Sequence, residues 1–235
     1  LKLLNKTRIS ISNDDTRHYL NGIFLHLTEA HGRNFLTGVA TDSHRLSSSS
    51  LEIENITDFT SLILPRKTVF QLCSLLAETS DQLIMQTSEN KIKFTLGTMK
   101  LISKVIDGKF PDYKKVVPTV NDKTLNVSSK DFINSIERVA SVSLDRKEGV
   151  KLVINKDNVQ LSVNSANSGE GNEKIKAEFS SENLNISFNS KYLIDIASAI
   201  EDKNLKMNLK DSVSPVLIED VSDKNSYYVI MPMKI

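Results

Sequence analysis

The sequence predicts an α+β fold in which two similar domains follow one another, each with antiparallel sheets backed by two helices. Three observations lead there. Apolar and polar residues alternate with period two over many short segments. A few segments instead carry apolar residues at i, i+3, i+4 and i+7, the spacing of one helix face. These elements then recur in the same order in the two halves of the 235 residues, the mark of an internal repeat.

Taken along the chain, Leu1-Lys-Leu-Leu4 opens as a helix and Leu20-Asn-Gly-Ile-Phe-Leu-His-Leu27 reads as a strand. Leu64-Pro-Arg-Lys67 leads into a helix whose apolar face is Val69, Leu72, Cys73 and Leu76. Strands are expected over 82–87, 91–96 and 99–106, with Ile92, Phe94 and Leu96 facing inward and Lys91, Lys93 and Thr95 outward. A helix over 129–142 places Ile133, Ile136 and Ala140 on one face, with Ser128 or Ser129 as its N-cap. Val159, Leu161 and Val163 form the next alternation, and Leu184, Ile186 and Phe188 another. Phe188-Asn-Ser-Lys191 leads into a helix carrying Leu193, Ile196, Ala197 and Ile200, followed by strands over 204–209, 214–219 and 226–231. Turn residues at Ser88-Glu-Asn90 and Asn155-Lys-Asp-Asn158 mark hairpins, so the sheets are antiparallel. The repeat is nearly constant in offset: 124 residues separate Lys67 from Lys191, and 127 separate Gly22 from Gly149 within Glu148-Gly-Val-Lys-Leu-Val-Ile154. The polar stretch Pro118–Lys123 is the expected junction, giving domains 1–119 and 120–235.

Composition narrows the function. Thirty Lys and Arg against 29 Asp and Glu leave a net charge of +1, so a nucleic-acid partner would need a local basic face. No apolar run approaches the roughly 20 residues of a membrane span. The single Cys73 excludes an internal disulfide and a Cys-ligated zinc site, which points to a reducing, cytoplasmic setting. Neither a phosphate-binding loop nor a dinucleotide fingerprint occurs, and no cofactor or metal is expected. Leu1 in place of Met suggests a piece of a longer protein.

Three features could carry function. In Ala40-Thr-Asp-Ser-His-Arg-Leu46, strand geometry would put Asp42 and His44 on one face and Ser43 on the other, which works against a local catalytic triad. The alternative is a polar turn at a strand end. The C-terminal Tyr227-Tyr-Val-Ile-Met-Pro-Met-Lys-Ile235 is apolar almost throughout, either as a final core strand or as the edge of a Met-lined groove. Lys2, Lys6, Arg8, Arg66, Lys67, Lys130, Arg138 and Lys191 cluster near helix starts, where cations oppose the helix dipole. They form either a solvated face or a stripe for phosphates.

Arg17-His-Tyr-Leu-Asn-Gly22, Val39-Ala-Thr-Asp-Ser-His-Arg-Leu46, Leu64-Pro-Arg-Lys67, Asp107-Gly-Lys-Phe-Pro-Asp-Tyr113 and Tyr228-Val-Ile-Met-Pro-Met-Lys-Ile235 together closely resemble the bacterial sliding-clamp family, the beta subunits of DNA polymerase III. The match runs from near residue 17 to the last residue and covers the family's second and third domains; its first domain has no counterpart here. The resemblance implies a processivity factor without catalytic activity. In the full-length family member, a head-to-tail homodimer closes a ring around duplex DNA, bound without sequence specificity. It further implies that the basic residues above, together with His18 and Tyr19, face the DNA.

The resemblance also implies a groove between the domains where the polymerase III catalytic subunit, the clamp loader, other polymerases and repair proteins insert short motifs, typically Gln followed by Leu-like and Phe-like anchors. The residues that carry over are Leu20, Thr41, His44, Arg45, Leu46, Pro111 and Val116, then Asn189, Tyr192, Val213, Val229, Ile230, Met231, Pro232 and Met233. Three further positions of that groove depart from the family pattern. Ser43 replaces a usual Gly and would be strained if the backbone there has positive φ. Lys115 stands where Arg is frequent, and Pro215 where a small hydroxyl residue is common. Rival readings are a hydrolase using Ser43 or His44 and a single-strand nucleic-acid-binding module; the absence of Trp disfavours the second.

Overall fold

The computed structural model describes residues 1–54, 59–143, 149–165 and 169–234. Glu148 and Ile235, which belong to two of the landmark segments above, lie outside the described residues. By contacts the chain divides into Leu1–Tyr113 and Lys114–Ile235.

In the first unit, helix α1 (Lys2–Thr7) precedes strands β1 (Gly22–Ala30), β2 (Arg33–Thr41), β3 (Arg45–Glu52) and β4 (Leu62–Pro65). These pair antiparallel in the order β3-β2-β1-β4. Gly22 opens β1 because nothing larger fits: a Cβ there would lie 2.2 Å from the carbonyl oxygen of Leu64. Helix α2 (Arg66–Ala77) follows directly, burying Val69, Leu72 and Cys73. Burial pushes the Cys73 thiol pKa up, which keeps it a neutral core filler. Strands β5 (Leu83–Thr87), β6 (Lys91–Leu96) and β7 (Met99–Lys104) make a second antiparallel sheet. Ile92 and Phe94 turn inward onto the core shared with α2 and β1. The segment after β7 is held to β1 by stacked rings, Phe24 on Phe110 at 5.0 Å, and by a 3.0 Å hydrogen bond between His26 Nε2 and the Tyr113 hydroxyl.

The second unit runs β8 (Lys123–Ser128), α3 (Ser129–Ala140), β9 (Gly149–Ile154), β10 (Asn158–Ser165), β11 (Gly169–Phe179), β12 (Leu184–Asn189), α4 (Ser190–Ala199), β13 (Asn204–Leu209), β14 (Val216–Glu219) and β15 (Ser226–Ile230). From α3 onward this is the element order of the first unit, as the repeat requires. Its strands pair antiparallel in the order β12-β9-β10-β11-β8-β13-β14-β15. The extra strand β8 bonds to both β11 and β13 and joins the two halves. Ser128, rather than Ser129, caps α3, accepting from the backbone N–H of Asp131. The buried face of α3 also differs from the expected one: Phe132, Ser135, Ile136 and Val139 point inward, while Ile133 and Ala140 lie at its margin. Helix α4 buries Leu193, Ile196 and Ala197 as its periodicity predicts, and Ile200 just beyond its end is buried as well.

Candidate functional site

In the second unit the residues expected to bind peptide gather where three elements end. The β14–β15 register pairs Val216 with Ile230, after which the chain leaves the sheet as Met231-Pro-Met233. The backbone N–H of Met233 donates to the Ser187 carbonyl at 2.7 Å, fastening this segment beside the end of β12. There Asn189 caps α4, its side-chain oxygen accepting from the Tyr192 N–H at 3.1 Å. The loop before β14 is a turn built on Asp211, whose carboxylate takes the N–H groups of Val213 and Ser214 and the Ser214 hydroxyl. Those hydrogen bonds hold the Asp211 carboxyl below its usual pKa. Asn121 pins the same loop, donating to the Asn208 and Pro215 carbonyls at 2.8 and 2.9 Å.

Val213 is left 64% exposed, Met231 38% and Met233 37%, with Tyr192, Pro215 and Pro232 half-buried. Large apolar side chains presented together are a recognition feature rather than a core. Val229 and Ile230 are buried, so they support this surface without lining it. Lys115 and the exposed Val116 lie on a 3-10 turn at Tyr113–Val116.

In the first unit, the segment around Asp42 is the polar turn at a strand end, tightly linking β2 to β3, and not a continuous strand. Asp42 organises it: Oδ1 accepts from the N–H groups of His44 and Arg45, and Oδ2 from Arg45 Nε at 3.1 Å. The Thr41 hydroxyl donates to the Arg45 carbonyl and accepts from the Ser43 N–H. Ser43 sits at φ 75°, the left-handed region in which a side chain costs about 1 kcal/mol. Arg17 holds it there, Nη1 donating to the Ser43 hydroxyl at 2.5 Å. Arg17 is anchored in turn by Asp14, whose carboxyl is lowered to about 2 by hydrogen bonds from Thr16 and Arg17. His44 and Pro111 are exposed, whereas Leu20, Arg45 and Leu46 are buried beneath the turn. Asp42 therefore shapes the turn through backbone and guanidinium contacts.

The basic residues separate into four groups, the last being Arg8 and Arg66, both half-buried. Lys2, Lys67, Lys130 and His18 are exposed. Arg138 and Lys191 are exposed but engaged, the first by Glu173, with Nη2 to Oε2 at 2.7 Å, the second by Asp195 at 2.9 Å. Lys6 is buried, so its ammonium is not presented at the surface. Tyr19 meets His18 edge to face on a 3-10 segment. Sequence reasoning missed Phe70, exposed on α2, over whose ring lie both Arg8 and Arg66, at 5.2 and 5.5 Å. Its i+4 spacing from Arg66 was the available signal.

Among the described residues, no group of three or more His, Cys, Asp or Glu could hold a metal ion, and no helix is long and apolar enough to cross a membrane.

Comparison with known proteins gives one family twice. Residues 1–112 match the model of the DNA polymerase III beta subunit central domain, and residues 114–234 that of its C-terminal domain. The chain is 34% identical over 236 residues to a beta sliding clamp of Caulobacter vibrioides and 34% over 234 residues to that of Escherichia coli. Each match covers all of this chain and 63% of the relative, so the chain spans just under two thirds of those proteins. Among solved structures, a sliding clamp of Bartonella birtlesii bound to griselimycin superposes with a TM-score of 0.96 at 40% identity, covering 100% of this chain and 64% of that one. A Caulobacter crescentus beta sliding clamp with bound polyethylene glycol gives a TM-score of 0.97 at 34% identity, covering 100% of this chain and 62% of that one.

Proposed function

The chain belongs to the DNA polymerase III beta subunit family, the bacterial sliding clamps, and we propose that it serves as the central and C-terminal portion of a cytoplasmic, non-catalytic processivity factor. In that role the complete protein dimerises into a ring around duplex DNA. It tethers the polymerase III catalytic subunit, the clamp loader and other polymerases or repair proteins through short linear motifs. The observation that carries this reading is the exposed apolar set Val213, Met231 and Met233 beside the Asn189-capped start of α4. Unbranched Met accommodates varied partner side chains, and apolar anchors supply most of the affinity in such a contact.

Sliding without sequence preference asks only for cations that meet phosphates and read no base edge. The exposed Lys2, Lys67 and Lys130 suit that role, and so do Arg8 and Arg66 over the ring of Phe70. The cations already paired to Glu173 and Asp195 are weaker candidates.

Isothermal titration with a Gln-Leu-Ser-Leu-Phe peptide tests the reading. Saturable one-to-one binding, reduced about tenfold or more by Met231→Ala and also weakened by His44→Ala, is expected. No heat at about 100 µM, equivalent to affinity weaker than roughly −5.5 kcal/mol, would remove the peptide-binding function and leave the family membership intact.

A further inference from the structure

We propose that the outward face of the β5–β6–β7 sheet is a second docking surface, for an extended acidic segment carrying an apolar anchor. It is separate from the peptide and DNA surfaces above and does not depend on them. The inward face of this sheet is core, so Lys91, Lys93 and Thr95 of β6 and Lys100, Ile102 and Lys104 of β7 all project the other way, with Ile84 and Gln86 of β5. None of the three strands contains an Asp or Glu. None of the four lysines makes an ion pair among the described residues.

The arrangement around Ile102 is specific. Its cross-strand partner is Lys93, and Lys100 and Lys104 lie two residues to either side on its own strand. Lys104 in turn stands directly opposite Lys91, a like-charge pairing that costs stability. An apolar side chain 64% exposed thus sits inside a triangle of cations, with Ile84, 54% exposed, on the far strand.

Two ordinary explanations fit poorly. A solvated face would gain by mixing signs. A single-stranded nucleic acid would meet no aromatic ring here on which to stack its bases. An extended peptide, by contrast, repeats its same-face side chains every ~7 Å, the repeat of Lys100, Ile102 and Lys104. Carboxylates at positions −2 and +2 around an apolar residue therefore meet both lysines while the anchor meets Ile102. Lys93 is left for a backbone carbonyl or a third carboxylate.

The test is fluorescence anisotropy with a labelled Gly-Glu-Ser-Leu-Ser-Glu-Gly probe on the full chain, beside a permuted Gly-Glu-Glu-Leu-Ser-Ser-Gly probe of identical composition. The first is expected to saturate and the second to bind several-fold more weakly. Binding of the first should fall about tenfold in Lys100→Glu/Lys104→Glu, with salt having the same sense of effect. Ile102→Ser should weaken it several-fold, and Met231→Ala should leave it unchanged. As a control on folding, the double Glu variant should instead take up the charge-reversed Gly-Lys-Ser-Leu-Ser-Lys-Gly probe. Three results would each overturn the proposal: equal binding of the two isomers, indifference to Ile102→Ser, or tighter uptake of a labelled oligothymidylate than of the peptide through the same lysines.

Discussion

Strands β5–β7 of the first unit and β13–β15 of the second occupy the same place in the repeat, each following the second helix of its unit. Inward they agree. Ile92, Phe94 and Leu96 on one side, and Leu205, Met207, Leu209, Val216, Ile218 and Tyr228 on the other, are all buried. Outward they part. On β13–β14 the opposing residues are Lys206 and Glu219, ion-paired at 2.9 Å, and Glu219 also accepts from Asn208 at 2.6 Å. On β5–β6, the matching strands of the first unit, the outward pairs are Ile84 with Thr95 and Gln86 with Lys93, and β6–β7 beside them sets Lys91 opposite Lys104 and Lys93 opposite Ile102. Packing constrains the inward residues of both units to the same apolar pattern. Water imposes no such constraint outside, so the two copies have been free to acquire different surfaces.

The sharpest way to break what the copies share is to empty a core. Phe94→Ala should cost about 3–5 kcal/mol, seen as a lowered denaturation midpoint, and Ile218→Ala about 2–5 kcal/mol in the other unit. Next in size is Glu219→Lys, which converts the balanced face into one like its counterpart. Because both side chains are more than a third exposed, solvent screening keeps the lost pair to about 1 kcal/mol or less. Chemical denaturation would read it, and a gain of binding to an acidic probe would show that lysine content alone makes such a surface.

Acid distinguishes the faces without mutation. Burial alone would raise the Glu219 pKa, but the hydrogen bonds from Lys206 and Asn208 and the Lys206 charge outweigh it, and the net shift is downward. On β11, hydrogen bonds from Arg138 lower Glu173 to about 2. A carboxyl whose folded pKa is depressed contributes stability in full above its unfolded value, near 4.5, and loses it as the pH falls through the folded pKa. Thermal midpoints followed from neutral pH down to about 2 should therefore drop less steeply in Glu173→Gln/Glu219→Gln. The β5–β7 face has no carboxylate to contribute. The smallest expected effect is Thr95→Glu, which places a carboxylate across from Lys100. It should add a few tenths of a kcal/mol, while weakening the acidic probe measurably by anisotropy.

The same contrast between inside and outside explains how much was legible. Period-two alternation located the sheets because burial repeats it faithfully, and Leu193, Ile196, Ala197 and Ile200 marked the buried side of α4 and the residue that follows it. On α3 the apolar stripe is wide, from Phe132 and Ile133 to Val139 and Ala140, and the sequence alone does not say which margin meets the sheet. Ser135, fully buried in the middle of that face, disguises it further. At the candidate site, Met231 to Met233 stood out as an apolar ending. Val213 came only through the family resemblance, because its exposure depends on a turn made by Asp211 and pinned by Asn121, 92 residues upstream of it. Lys6 read as a surface cation from its type, yet its position on α1 buries it. Phe70 escaped notice because one of its two guanidiniums, Arg8, arrives from far away in sequence.

The cap on α4 has a consequence for grammar in the partner. Since the Asn189 oxygen is turned inward to the Tyr192 N–H, the end of that amide offered to a visitor is its NH2 group, a pure donor. A motif read by Asn189 must answer with a lone pair, a carbonyl of its backbone or of a glutamine. One that presents only a proton at that point is left with the second lone pair of an oxygen the Tyr192 N–H already shares, and should bind more weakly.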